Sequence, residues 1–279
     1  MECINVNGKV LEAKNAFIKI DNHSFRYGDG LFETMKVIKN KISLGEFHFD
    51  RLFNGFSILK YPVPAFFTKE NLEREILDLC KKNHCENMAR VRLSISGGSG
   101  GLYDGDEKIE YTIECWTLPA SITEWNENGL VVDVFPDIKK SCDTLSNFKS
   151  ASHLPYAMAA RYAKEHKWND CLLLNTHERI CDSSIANIFW IKEKNIFTPP
   201  LSEGCIAGVM RRFLIEKLPA VDYNIEQKPC TVKDLEEADE IFLTNAIRGI
   251  KWVASFGNQS YKSAITREIY SHLDELQKQ

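Results

Sequence analysis

Several short segments carry side chains able to do chemistry. Lys149, in Ser146-Asn147-Phe148-Lys149-Ser150-Ala151-Ser152-His153-Leu154, is an amine that can form an imine or move a proton, although nothing in its neighbours marks it as reactive. Arg51, in Phe47-His48-Phe49-Asp50-Arg51-Leu52, stands among apolar residues. An arginine so placed is a surface residue with a packed stem or a fork for phosphate or carboxylate. Asp182, in Arg179-Ile180-Cys181-Asp182-Ser183-Ser184-Ile185-Ala186-Asn187-Ile188-Phe189-Trp190, is either a turn residue or a carboxylate for a protonated ring nitrogen. Gly208-Val209-Met210-Arg211 follows Thr198-Pro199-Pro200-Leu201 and Gly204. A glycine-marked helix start offers free N–H groups and a positive dipole end to a phosphate. Gly28-Asp29-Gly30, ahead of Leu31-Phe32-Glu33-Thr34, is a turn before a strand. Ala238-Asp239-Glu240-Ile241-Phe242-Leu243-Thr244-Asn245-Ala246-Ile247-Arg248-Gly249 reads as a strand ending in a polar turn.

Each segment alone is weak, but their order and spacing across most of the chain resemble the class-IV, or fold-type IV, family of pyridoxal-phosphate enzymes. That family includes branched-chain aminotransferases, D-amino-acid aminotransferases and aminodeoxychorismate lyases. The resemblance implies a pyridoxal 5′-phosphate cofactor carried by Lys149 as a Schiff base. It implies that Arg51 binds the cofactor phosphate, with backbone N–H groups at Val209 and Met210 and the turn at Asn245 and Ala246. Asn187 matches the asparagine that precedes the phenylalanine-containing strand. Asp182 stands where the family usually has glutamate, bonded to the pyridine nitrogen to keep it protonated so that the ring serves as an electron sink. The aspartate has the same charge and a shorter reach.

Within the family the closest likeness is to aminodeoxychorismate lyase, which releases pyruvate and leaves 4-aminobenzoate, a reaction of folate biosynthesis. Leu154 stands where branched-chain enzymes usually carry tyrosine, and Thr244-Asn245-Ala246 where they show Gly-Thr-Ala. Ser96-Gly97-Gly98-Ser99-Gly100-Gly101-Leu102-Tyr103 looks like the glycine-rich loop of the lyases. However, Gly97 and Ser152 replace the arginine and asparagine often found at those places. Arg92 and Arg248 are candidates for the two substrate carboxylates, and Tyr27 for a further substrate contact. The alternative is a branched-chain or D-amino-acid aminotransferase using 2-oxoglutarate. A non-catalytic binding member of the fold is the third reading. The resemblance also implies a homodimer.

The elements that must position these residues follow from periodicity. Phe17–Ile20, Phe32–Ile38, Arg90–Ile95 and Ile109–Trp116 alternate as strands. Residues 68–83 form an amphipathic helix with Thr68 as N-cap and Leu72, Ile76, Leu79 and Cys80 on one face. Residues 119–129 are polar and turn-rich and form a candidate linker, 120–129 in the narrower reading. Strands are expected at Leu130–Phe135, Cys171–Leu174, Ala186–Ile191 and Asn195–Thr198. Helices are expected over 150–166, irregular near Pro155, from near Gly208, from near Thr231 with Asp234, and over 263–278. The result is an α+β chain of two domains, D-amino-acid aminotransferase-like in fold. A smaller N-terminal α/β domain spans 1–119 and a larger C-terminal cofactor-binding domain 130–279.

Composition narrows the classes further. The 279 residues are 44% hydrophobic and 27% charged, the profile of a soluble globular protein. With a formal charge of −4 and no Lys/Arg block, nucleic acid is not an expected partner; a small amino substrate is. No leader peptide and no apolar run long enough to span a bilayer is evident, so a cytoplasmic location is expected. Of nine cysteines only Cys80 and Cys85 cluster, beside His84, without the second pair a zinc site normally shows. Free thiols in a reducing compartment and no bound metal are the expectation.

Overall fold

A computed structural model describes residues 1–106 and 108–276. The chain forms two compact units, one of residues 1–122 with 148–153, the other of 123–147 with the remainder.

The first unit is built on a six-stranded antiparallel sheet. Its strands are β1 (Cys3–Val6), β2 (Lys9–Glu12), β3 (Gly30–Ile38), β4 (Lys41–Ile42), β5 (Met88–Ser96) and β6 (Glu110–Thr117), in the order β2-β1-β6-β5-β3-β4. β5 alternates as its sequence requires, with Ala89, Val91, Leu93 and Ile95 buried. Three helices accompany the sheet: α1 (His23–Tyr27), α2 (Gly45–Leu59) and α3 (Lys69–Lys82). In α3 the Thr68 hydroxyl accepts from Asn71 N, and Leu72, Ile76, Leu79 and Cys80 are all buried, as the periodicity predicts. They join Phe49, Leu52 and Phe56 of α2 in one core with Val91 and Leu93, each such side chain contributing about 1.5–3 kcal/mol.

The expected strand at Phe17–Ile20 does not form. The segment is irregular, and Phe17 is 80% exposed because no neighbouring strand offers it a ladder. Alternation alone does not make a strand when pairing is missing.

The second unit holds a nine-stranded mixed sheet formed by β7 (Leu130–Lys140), β8 (Asp170–Asn175), β9 (Ile180–Ser183), β10 (Asn187–Lys192), β11 (Asn195–Thr198), β12 (Ile225–Gln227), β13 (Glu240–Asn245), β14 (Gly249–Phe256) and β15 (Gln259–Ser260). The path is β12-β11-β10-β13-β14-β7-β8-β9, with β15 on β14. The pairs β7–β8, β7–β14 and β11–β12 are parallel. β8 is buried at every position and β10 at all but its last residue, which explains their near-continuous apolar sequence. The helices are α4 (Leu154–Glu165), α5 (Val209–Lys217), α6 (Val232–Glu236) and α7 (Ala264–Leu276). α6 has a capping box between Thr231 and Asp234. The expected last helix extends to 278, and its final two positions lie outside the described residues.

One correction concerns Lys149. The sequence places Lys149 at the mouth of a helix beginning at Ser150, whereas α4 starts at Leu154. Residues 149–151 are instead extended along the start of β3. Phe32 N donates to Lys149 O at 2.9 Å, Ala151 N donates to Gly30 O at 2.8 Å, and Ser150 bridges Leu31. Pro155 is tolerated in the first turn of α4, but its ring disfavours helical backbone in the residue before it.

Candidate active site

In the first unit the extended stretch beside β3 fixes the backbone of Lys149 while leaving its side chain partly exposed. The Lys149 ammonium lies 4.8 Å from the centroid of the Phe32 ring, and the Arg92 guanidinium lies 3.9 Å from the same centroid. His153 meets that ring edge-on at 5.3 Å. Arg92 Nε also donates to Ser94 Oγ at 3.0 Å, and burial lowers the guanidinium's pKa. Two sequence candidates, Lys149 and Arg92, are thus both neighbours of the Phe32 ring.

Arg51 is held by a buried network that sequence reading did not reveal. Its Nε and Nη2 donate to Glu33 at 2.7 and 2.6 Å, and His48 Nδ1 is 2.7 Å from the same carboxylate. Burial opposes ionisation of Glu33, but Arg51 and His48 outweigh it and hold the carboxyl at about 2. Burial lowers the pKa of His48 against the pull of Glu33, and the charges of Arg51 and Lys149 add to the lowering. The bidentate pair fixes the plane of the Arg51 guanidinium. The signal for both partners was present in Phe32-Glu33-Thr34 and His48-x-x-Arg51, but a motif does not say which of its members touch.

Tyr27 ends α1, with a side chain that is largely exposed and packs edge-on against His23 at 5.4 Å.

In the second unit Asp182 sits on β9, buried among four hydrogen-bond donors. Its Oδ1 accepts from Asn187 Nδ2 at 2.9 Å. Its Oδ2 accepts from Lys140 Nζ at 2.9 Å, Tyr156 OH at 2.8 Å and Ile206 N at 2.9 Å. Asn187 also donates to Ile206 O at 2.8 Å, so the carboxylate and the chain leading into α5 are pinned together. Gly208 caps α5 without any side-chain hydrogen bond, and a Cβ there would run into Asn187 Oδ1. The first-turn N–H groups around Val209 and Met210 are therefore not capped by a side chain, and both side chains are buried. Lys140 and Tyr156 were not foreseen, since no periodicity or motif spacing links them to Asp182.

On the turn after β13, Asn245 Oδ1 accepts from Ile247 N and Arg248 N at 3.0 and 2.8 Å, which shapes the loop, and Ala246 is half-buried within it. Thr244 Oγ1, paired in register with Asn187, is buried with no hydrogen-bond partner. Arg248 lines a cavity of about 400 Å³ with Lys164 and Lys167 at the end of α4, a setting it shares with none of the other candidates.

The second-unit residues fit pyridoxal phosphate on structural grounds. An orphaned buried hydroxyl at Thr244 and an uncapped helix start at Gly208 suit a phosphate, and the buried Asp182 suits a protonated ring nitrogen. The thiols follow a separate pattern. Cys115 of β6 joins Cys80 and Cys85, with the three Sγ atoms within 4.8 Å of one another, a grouping invisible in the sequence spacing. All nine cysteines are free thiols.

A curated relative from Vibrio harveyi, an aminodeoxychorismate lyase, is 26% identical over 92% of this chain and 96% of its own length. A putative branched-chain-amino-acid aminotransferase from Methanocaldococcus jannaschii is 26% identical over 98% of this chain and 94% of its own. Among solved structures, the Escherichia coli branched-chain amino acid aminotransferase superposes with a TM-score of 0.89 at 20% identity, covering 99% of this chain and 94% of that one. The pattern described as amino-transferase class IV matches residues 30–256, so the chain belongs to the class-IV aminotransferase family and is a pyridoxal-phosphate-dependent enzyme.

Proposed function

We propose that the enzyme is a 4-amino-4-deoxychorismate lyase. The observation that carries this reading is the Arg92 guanidinium held at the Phe32 ring, whose centroid is also 4.8 Å from the Lys149 amine, so that a fixed cation for a substrate carboxylate and the amine proposed to react share one aromatic neighbour. The Vibrio harveyi relative and the exposed Leu154 in place of a tyrosine support the lyase over the aminotransferases.

In this reading Lys149 carries the cofactor, Arg51, Asn245, Ala246 and the start of α5 hold its phosphate, and Asp182 with Asn187 holds its ring. Bound pyridoxal phosphate supplies the electron sink. Lys149, once released, removes the proton from the amine-bearing carbon. The ether C–O bond breaks, enolpyruvate leaves and takes up a proton to become pyruvate, and the ring of the product becomes aromatic. Arg92 binds one carboxylate, and Arg248 and Tyr27 are separate candidates for the remaining substrate contacts.

Purified protein loaded with cofactor is expected to release pyruvate and 4-aminobenzoate in equal amounts from aminodeoxychorismate. Absence of both, with steady glutamate formation from a branched-chain or D-amino acid and 2-oxoglutarate, would establish the aminotransferase instead.

We further propose a homodimer and a cytoplasmic location. Exposed Phe17, Ile18, Ile20 and Phe25 in the first unit are apolar surface suited to a second copy, and nine free thiols suit a reducing compartment. Among the described residues no helix is long and apolar enough to cross a membrane.

A further inference from the structure

Asp182 does not stand alone. Lys140, the last residue of β7, buries its side chain to 7% exposure and places its ammonium on Asp182 Oδ2. That ammonium also bonds to Tyr156 OH and lies 4.8 Å from the Tyr156 ring centroid. With Tyr156 OH and Ile206 N on the same oxygen, Oδ2 has three donors, whereas Oδ1 has Asn187. A carboxylate offers roughly two acceptor sites per oxygen, so Oδ1 is the atom with room for another donor.

Several groups lie within electrostatic reach of Lys140, among them Asp143 in the turn after β7, whose carboxyl the ammonium helps to hold low. Asp182 and Cys181 face it from β9, Tyr156 from α4, and Cys205 from the segment ahead of α5. Burial pushes the Cys205 thiol up to about 12 and raises Cys181 and Tyr156 well above their ordinary values, so these three are neutral at ordinary pH. Burial works against the charge on Lys140, yet Asp182 outweighs it and the amine's pKa is raised. The pair is a cation and an anion in a dry setting, not a bare carboxylate.

We propose that Lys140 is a positioning residue for the cofactor ring. By occupying Asp182 Oδ2 it presents Oδ1 to the pyridine nitrogen, and its charge weakens that nitrogen's hold on its proton. This rests on the reading that Asp182 faces the ring. A ring less readily protonated is a weaker electron sink.

The test is 15N NMR of the protein reconstituted with pyridoxal phosphate labelled at the ring nitrogen, titrated with pH. Lys140→Met is expected to raise the ring nitrogen's pKa by about one unit or more, the size of a removed neighbouring charge. Lys140→Arg should keep the wild-type titration. Tyr156→Phe, which removes a neutral donor, should move it by less than Lys140→Met does. Lys140→Gln substitutes for the methionine variant if that one does not fold. A titration unchanged in Lys140→Met, or shifted equally by Tyr156→Phe, overturns the proposal. Asp182→Asn separates the two claims: if it leaves the nitrogen signal unmoved, the Asp182 reading itself falls.

Discussion

At the scale of the residue, the acid at position 182 governs more than one neighbour. Its four donors come from β7, α4, β10 and the segment before α5. Asp182→Ala would strand the Lys140 ammonium in a buried setting, a change that costs about 3–5 kcal/mol when one partner of a buried pair is removed. Thermal unfolding should therefore show a large drop for Asp182→Ala, and an unchanged midpoint would refute the network's structural importance. Arg92 plays a different part. Its bonded partner is the Ser94 hydroxyl and its stacking partner is Phe32, and the carboxylate that acts on it, Glu114 in register on β6, is only half-buried. Arg92→Leu is predicted to raise the KM for aminodeoxychorismate by about 10–100-fold, the worth of a charge-assisted hydrogen bond, while cofactor absorbance stays intact. Steady-state kinetics beside an absorbance spectrum decide it, and a normal KM would remove Arg92 from the substrate contacts.

At the scale of the element, the start of α5 is the most exacting piece. Gly208 is needed there because a side chain would displace Asn187, and with it the bond from Asn187 to Asp182. Gly208→Ala should destabilise the protein by about 1–3 kcal/mol, as overpacking does, and weaken pyridoxal-phosphate binding measured by equilibrium titration. Normal affinity in that variant would show that the helix start lies apart from the cofactor. Much of this scale was legible in the sequence. Thr68 and the buried faces of α3, the Thr231 capping box and the Gly208 helix start follow from local chemistry. The extended stretch at Lys149 and the irregular course of Phe17–Ile20 do not, because both depend on whether a distant strand is present to pair. For the same reason the motifs held Arg51 and Glu33 without showing that they touch, and gave no sign of Lys140 and Tyr156 beside Asp182. Those contacts are made by elements far apart in sequence, and a charged residue destined for burial looks there like any other.

At the scale of the whole molecule, the buried network around Arg51 ties stability to pH. Glu33 has a folded pKa of about 2 against 4.5, so its contribution is fully present above pH 4.5 and is lost as pH falls toward 2. His48 is also lowered, from 6.5, so its contribution is likewise lost as pH falls below that value. Both act in one direction, against the opposing shift of the buried Asp170, whose carboxyl is raised by burial, and the network is predicted to lose stability progressively from near pH 6.5 downward. Urea unfolding at a series of pH values checks this. A stability that stays flat from pH 7 to pH 3 would contradict the geometry. The most direct test of the central claim is chemical. Borohydride reduction of the holoprotein, followed by digestion and mass spectrometry, should find the pyridoxyl group on the peptide containing Lys149. Its appearance on Lys140 or any other lysine, or on none, would contradict the assignment of the reactive amine.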